Sequence, residues 1–127
     1  MFKKTDNYGG HLQGYVELVP AQLKALFGDP NGFCDDQYMD WYQLEDDDGH
    51  FATIYSKWTH PSENTDRLFS FNVGGNSYED MQALVEYLEN EGLNVGVVDA
   101  VGNNLAQWEA TQRAHMAVEE ALRGDAR

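Results

Sequence analysis

Two alternating runs meet at a run of aspartates, and this pattern restricts the chain most. From Gln37 to Glu45 the residues alternate, with Met39, Trp41 and Gln43 pointing one way and Tyr38, Asp40, Tyr42 and Leu44 the other. Only an extended chain has that period of two. Asp46-Asp47-Asp48-Gly49 then interrupts, and Asp-Gly between alternating runs is the strongest local hairpin signal. His50 to Trp58 returns, anchored by Phe51, Ile54 and Tyr55. A polar stretch with Pro61 leads to Leu68–Val73, where Phe69, Phe71 and Val73 share a face. A three-stranded antiparallel meander over residues 37–73 is the reading these runs impose.

The flanks supply helices. Pro20 suits a first helical position, where its missing N–H costs nothing. Leu23, Leu26 and Phe27 follow at helical spacing, and Gly28 with Pro30 stops the helix. Residues 29–36 read as a loop. Gly74-Gly75-Asn76 reads as a break, with Ser77 as N-cap and Asp80 in a capping-box position. Met81, Leu84, Val85 and Leu88 then make the clearest helical stripe, ended by Gly92. His11–Leu18 reads as a short strand and Leu93–Val98 as an edge strand. A last helix runs from Asn103 or Asn104 to about Leu122. The expected fold is α+β, an antiparallel β-meander sheet with two to three helices packed on one face. Residues 1–10 are expected as a flexible N-terminal arm and residues 11–127 as one domain.

Charge narrows the functional classes. Eight Lys and Arg face 22 Asp and Glu, a net charge of −14. Such a surface repels nucleic-acid phosphate and anionic lipid and favours basic protein surfaces. Net charge also serves solubility, but interspersed signs suffice for that. Here no base lies between Lys24 and Lys57, against eight acids, nor between Arg67 and Arg113, against seven. With 42% apolar and 13% aromatic residues, general disorder is not expected. No apolar run approaches the ~20 residues of a membrane span. Met1-Phe2-Lys3-Lys4 runs into polar residues without an apolar h-region, which argues against a signal peptide. The single cysteine, Cys34, excludes an internal disulfide and suits a reducing cytoplasm.

No catalytic, cofactor or metal motif emerges. An EF-hand starting at Asp46 would place Lys57 near the closing position that needs Glu. Asp35 and Asp36 would raise the Cys34 pKa and oppose nucleophilic activation. His11, His50, His60 and His115 lack metal-ligand spacing. Gly74-Gly75-Asn76-Ser77 has neither a P-loop lysine nor dinucleotide-binding spacing. The candidate partner-binding residues are instead the acids Asp35, Asp36, Asp40, Glu45, Asp46, Asp47, Asp48, Glu79 and Glu86. Glu79 and Glu86 lie ~10 Å apart along one helix face at ~1.5 Å per residue. Arrays of carboxylates at such separations can imitate a phosphate backbone. Tyr38 and Tyr42, beside Asp40, join the candidates as aromatics expected on the less buried face. Trp41, Tyr55, Trp58, Phe69 and Phe71 could also line a groove, though most of them should be core.

Gly14-Tyr15-Val16, Leu26-Phe27-Gly28-Asp29-Pro30, Trp41-Tyr42-Gln43-Leu44, the segment Asp48 to Tyr55, and Phe71-Asn72-Val73-Gly74-Gly75 together resemble a group of small acidic proteins encoded by bacteriophages. The resemblance covers roughly residues 11–88. No activity is established for that group, so no catalytic residue carries over. Where those relatives have Trp-His before Gly-Gly, this chain has Phe71-Asn72. The resemblance implies a phage-type inhibitor, without cofactor, that binds the basic surface of a host or defence protein, such as a CRISPR effector, in the bacterial cytoplasm. The alternatives are a small-ligand sequestering protein, or an assembly component that dimerises through its C-terminal helix.

Overall fold

His11–Leu18 (β2) organises the sheet, because it has a neighbour on each side. Val16 and Leu18 are fully buried while Tyr15 before them is exposed and Glu17 between them half-buried, the alternation of a strand covered on one face. The computed structural model describes residues 1–34, 39–56 and 66–100. The expected C-terminal helix and most of the Pro61 loop lie outside these residues. Seven strands form one antiparallel sheet in the order β1-β4-β5-β6-β2-β7, with β3 paired to β4. They are β1 (Lys3–Lys4), β2, β3 (Gly32–Cys34), β4 (Met39–Glu45), β5 (Phe51–Tyr55), β6 (Phe69–Gly75) and β7 (Val95–Ala100). The helices are α1 (Pro20–Phe27) and α2 (Tyr78–Asn90).

The expected meander exists as β4-β5-β6, with Tyr42 opposite Ile54 and Ile54 opposite Val73. It is the middle of a larger sheet that curls into a half-barrel, and α1 and α2 are the helices among the described residues. β7, expected over Leu93–Val98, runs antiparallel to β2 and is the edge strand there among the described residues.

One face of the sheet holds the core. Tyr42 and Leu44 of β4, Ala52 and Ile54 of β5, and Phe71 and Val73 of β6 are each fully buried there. α2 lays Met81, Leu84, Val85 and Leu88 onto them, the stripe its sequence announces. Each fully buried apolar side chain of this kind contributes about 1.5–3 kcal/mol. α1 adds Leu23 to the same core, and Phe27 packs on Tyr42 at 5.7 Å between ring centroids. Glu79 and Asp80 occupy the first turn of α2, where carboxylates complement the helix dipole. Ser77 is the N-cap residue but makes no side-chain capping bond. The reach-back bond comes from Asp80, which accepts the Asn76 N–H at 2.8 Å.

Several expectations need correction. Residues 1–10, expected as a flexible arm, contribute Phe2 to the core and β1 to the sheet, with Lys3 opposite Glu45. The 29–36 loop contains β3, which places Cys34 opposite Met39. Both segments pair along the outer edge of β4, and Asn31 closes the gap between them. Its side chain accepts the Gln43 N–H at 2.8 Å and donates to the Gln43 carbonyl at 3.1 Å, as a neighbouring strand would. Gly74 and Gly75 do not break the chain but complete β6, opposite Thr53 and Ala52.

Candidate functional site

The hairpin between β4 and β5 is built around Asp46. One carboxylate oxygen accepts the backbone N–H groups of Asp48 at 3.0 Å and His50 at 2.8 Å. The other meets His50 Nδ1 at 2.7 Å. Gly49 takes the left-handed conformation (φ 86°) that the turn requires. Burial alone would raise the Asp46 pKa, but the bonds from the His50 ring and backbone and from Asp48 outweigh it and hold it below the ordinary value. The bond to Asp46 raises the His50 pKa; burial opposes this, and the charges of Asp46, Asp80 and Asp48 add to it. Asp80 acts on His50 because the start of α2 lies beside the hairpin. Gly75, which leads into α2, approaches both Asp80 and the Phe51 carbonyl. Asp46, Asp48 and His50 bring their ligand atoms within 4.8 Å of one another. The turn's own hydrogen bonds account for that spacing.

The candidate residues separate into distinct roles. Asp47 and Asp48 are exposed at the hairpin tip, and Glu79 and Glu86 on the solvent side of α2. Asp46 is a structural acid, its side chain only 9% exposed. Glu45 is half-buried and accepts a bond from Asn7 Nδ2 at 2.8 Å. Asp40 is half-buried in β4, opposite Phe33. Tyr42, expected on the less buried face, is fully buried, and its hydroxyl donates to the Gly28 carbonyl at 2.7 Å. The reason is that α1 and α2 cover the Tyr42–Leu44 face of β4, so Met39, Trp41 and Gln43 take the open one. Asp35, Asp36 and Tyr38 lie outside the described residues.

That open face carries a feature the acidic candidates do not include. Trp41, Tyr55, Asn72, Tyr15 and Asp99 stand opposite one another in a row across β4, β5, β6, β2 and β7. A groove of about 480 Å3 opens over this face, with Tyr8, Met39, Trp41, Gln43, Thr53 and Tyr55 in its lining. Trp41 rests over Gly32, where a Cβ would come 2.0 Å from the indole nitrogen. The indole N–H donates to Gln43 Oε1 at 2.8 Å. The Gln43 amide in turn donates to the carbonyls of Thr5 at 3.3 Å and Asn7 at 3.0 Å. This network fixes residues 5–7 against β4 and so sets Tyr8, which is 86% exposed, at the groove's edge. In the sequence, Trp41 and Tyr55 are visible as groove candidates. Thr53 and Asn72, half-buried and interleaved with them, are the polar signal that this face is the wetter one.

Among the described residues, no helix is long and apolar enough to cross a membrane. Comparison with protein-family models, with curated proteins and with solved structures returned no match.

Proposed function

We propose that the chain is a binding protein that occupies a basic surface of a host or defence protein inside the bacterial cell, as the resemblance to small acidic phage proteins implies, and that it performs no catalysis. One observation carries the reading: the distribution of charge over the fold. Asp47 and Asp48 are exposed at the tip of the hairpin, Glu79 is exposed in the first turn of α2, whose start lies beside that hairpin, and Glu86 is exposed further along the helix. The acids at this end outnumber the described base there, Lys3, which pairs opposite Glu45 at the foot of the hairpin. Lys3 and Lys4 form β1, Lys24 sits 3.9 Å from Asp29 beside α1, and Arg67 stacks on Phe69. An acidic end of this kind steers a cationic surface into encounter and sets the salt dependence of binding.

The test follows capture of the partner from bacterial lysate. Asp47→Asn combined with Asp48→Asn is compared with Asp6→Asn combined with Asp66→Asn, all four positions being exposed. Solvent-screened pairs are worth ~0–1 kcal/mol each, so the hairpin pair should weaken binding roughly three- to tenfold. The control pair should leave affinity unchanged, and wild-type affinity should fall with added salt. Equal affinities for both variants would reject acidic recognition. The open groove favours a second reading, a small-ligand sequestering protein. A copurifying small molecule in native mass spectrometry would support that reading instead.

A further inference from the structure

We propose that the groove lined by Tyr8, Met39, Trp41 and Tyr55 receives a Lys or Arg side chain from the partner's basic surface. The inference rests on the reading of a basic protein partner and adds a receptor to it, on the open face of the sheet and away from the hairpin tip.

The lining decides the chemical class. The polar groups best placed to orient a ligand are already used within the fold. Trp41 Nε1 donates to Gln43, and the Gln43 amide donates to Thr5 and Asn7. Apart from the Thr53 and tyrosine hydroxyls, what remains is three aromatic side chains and the Met39 thioether. Such walls offer an anion no cationic donor. They do offer π faces, whose negative electrostatic potential attracts ammonium and guanidinium groups. The net charge of −14 selects in the same direction, since its field draws cations and repels phosphate or carboxylate ligands. Glu45 points to the same side of β4 as Trp41 and Gln43, and Asp99 ends the row that begins at Trp41. Lys3, opposite Glu45 in β1, is the described base at the near end of this face. The long aliphatic stem of Lys or Arg also suits an apolar channel with the charge at its aromatic end.

The groove is largely pre-organised, because Gly32 seats Trp41 and the Gln43 network positions the segment leading to Tyr8. A preformed site avoids part of the ordering cost of binding.

The experiment uses the full chain labelled with 15N and a capped hexa-arginine peptide, with capped hexaglutamate and benzyl alcohol as controls. The Trp41 indole N–H resonance, assigned with Trp41→Phe, is the reporter. Hexa-arginine should shift it saturably, and both controls should leave it in place. Tyr8→Ala is the decisive variant, because Tyr8 lies outside the core and its removal should not disturb the fold. It should weaken the peptide by several-fold, read on the Trp41 resonance. Hexa-arginine perturbing only Asp47 and Asp48 while Trp41 stays still would overturn the groove and leave the acidic reading intact. A shift of Trp41 by benzyl alcohol at equal or lower concentration would overturn the cation preference. A saturable Trp41 response that survives Asp47→Asn with Asp48→Asn, while the captured partner ignores that variant, would keep the groove and remove the acidic hairpin from the interface.

Discussion

Replacing Tyr42 with phenylalanine separates a core role from an interface role. Tyr42 is fully buried, its ring packs on Phe27, and its hydroxyl holds the Gly28 carbonyl at 2.7 Å. Tyr42→Phe keeps the ring and deletes one hydrogen bond. Gly28 is exposed, so its carbonyl can bond to water once the hydroxyl is gone. The loss therefore falls near ~1 kcal/mol and not at the ~3 kcal/mol of a stranded buried group. In a domain of this size that lowers Tm by roughly 3–5 °C. Tyr42→Ala also removes the ring and leaves a cavity, for about 3–5 kcal/mol. Against a total stability of ~5–15 kcal/mol, that threatens the fold. Burial, then the charges of Asp40 and Asp29, push the phenol well above its ordinary pKa. A raised pKa stabilises the fold below the unfolded value and loses that contribution as pH rises, so alkaline melts above pH ~10 should weaken the wild type more than Tyr42→Phe. Urea denaturation followed by circular dichroism gives the stabilities, and titration against the captured partner gives the affinity. Tyr42→Phe should bind like the wild type. Unchanged stability together with lost binding would refute the core placement.

Asp46→Ala should cost about 1–2 kcal/mol, since it deletes the acceptor of the part-buried His50 N–H while the exposed Asp48 N–H can turn to water, and should return the His50 pKa toward ~6.5, read by NMR titration of the imidazole. The His50 pKa is raised, so its stabilisation is full below pH ~6.5 and fades as pH rises through the folded value; that of Asp46, whose pKa is lowered, holds above pH ~3.8 and fades as pH falls through the folded value. Thermal melts should therefore show the Asp46–His50 contribution between those limits, with His50→Gln flat across them. Gly32→Ala drives a methyl into the Trp41 indole and should cost about 1–3 kcal/mol while changing tryptophan emission. An unaltered spectrum and Tm would show that Trp41 does not rest there.

The sequence made the long periodic elements legible because each agrees with itself over many residues. β4 and the hairpin follow from alternation plus Asp48-Gly49, and α2 from its stripe. What it hid were contacts made far along the chain. β3 is three residues within a Gly, Pro and Asn-rich stretch, and its partner alone makes it a strand. β1 exists because Phe2 reaches the core, which no local pattern near Lys3-Lys4 announces. The two faces of β4 were assigned correctly as sets, yet which set is buried depends on where α1 and α2 land. Alternation alone therefore leaves Tyr42 as a candidate for the open side, the reverse of where the helices put it. The Asp46-Asp47-Asp48 run reads as three equivalent charges, whereas the turn makes the first of them structural.

The place of β2 between β6 and β7 also sets the order in which the fold can be completed. β2 is made early, but its partners begin at Phe69 and Val95. While the chain is being synthesised, β4 and β5 can close as a local hairpin, but β2 waits with both edges unsatisfied. Its second side is covered only after Ala100 has emerged. Closing loops of that length before any contact rewards them is slow, which places this chain with the millisecond-to-second folders of non-local β topology. Until then Val16 and Leu18 are exposed beside open strand edges, the moment at which a crowded chain is most prone to pair with a copy of itself.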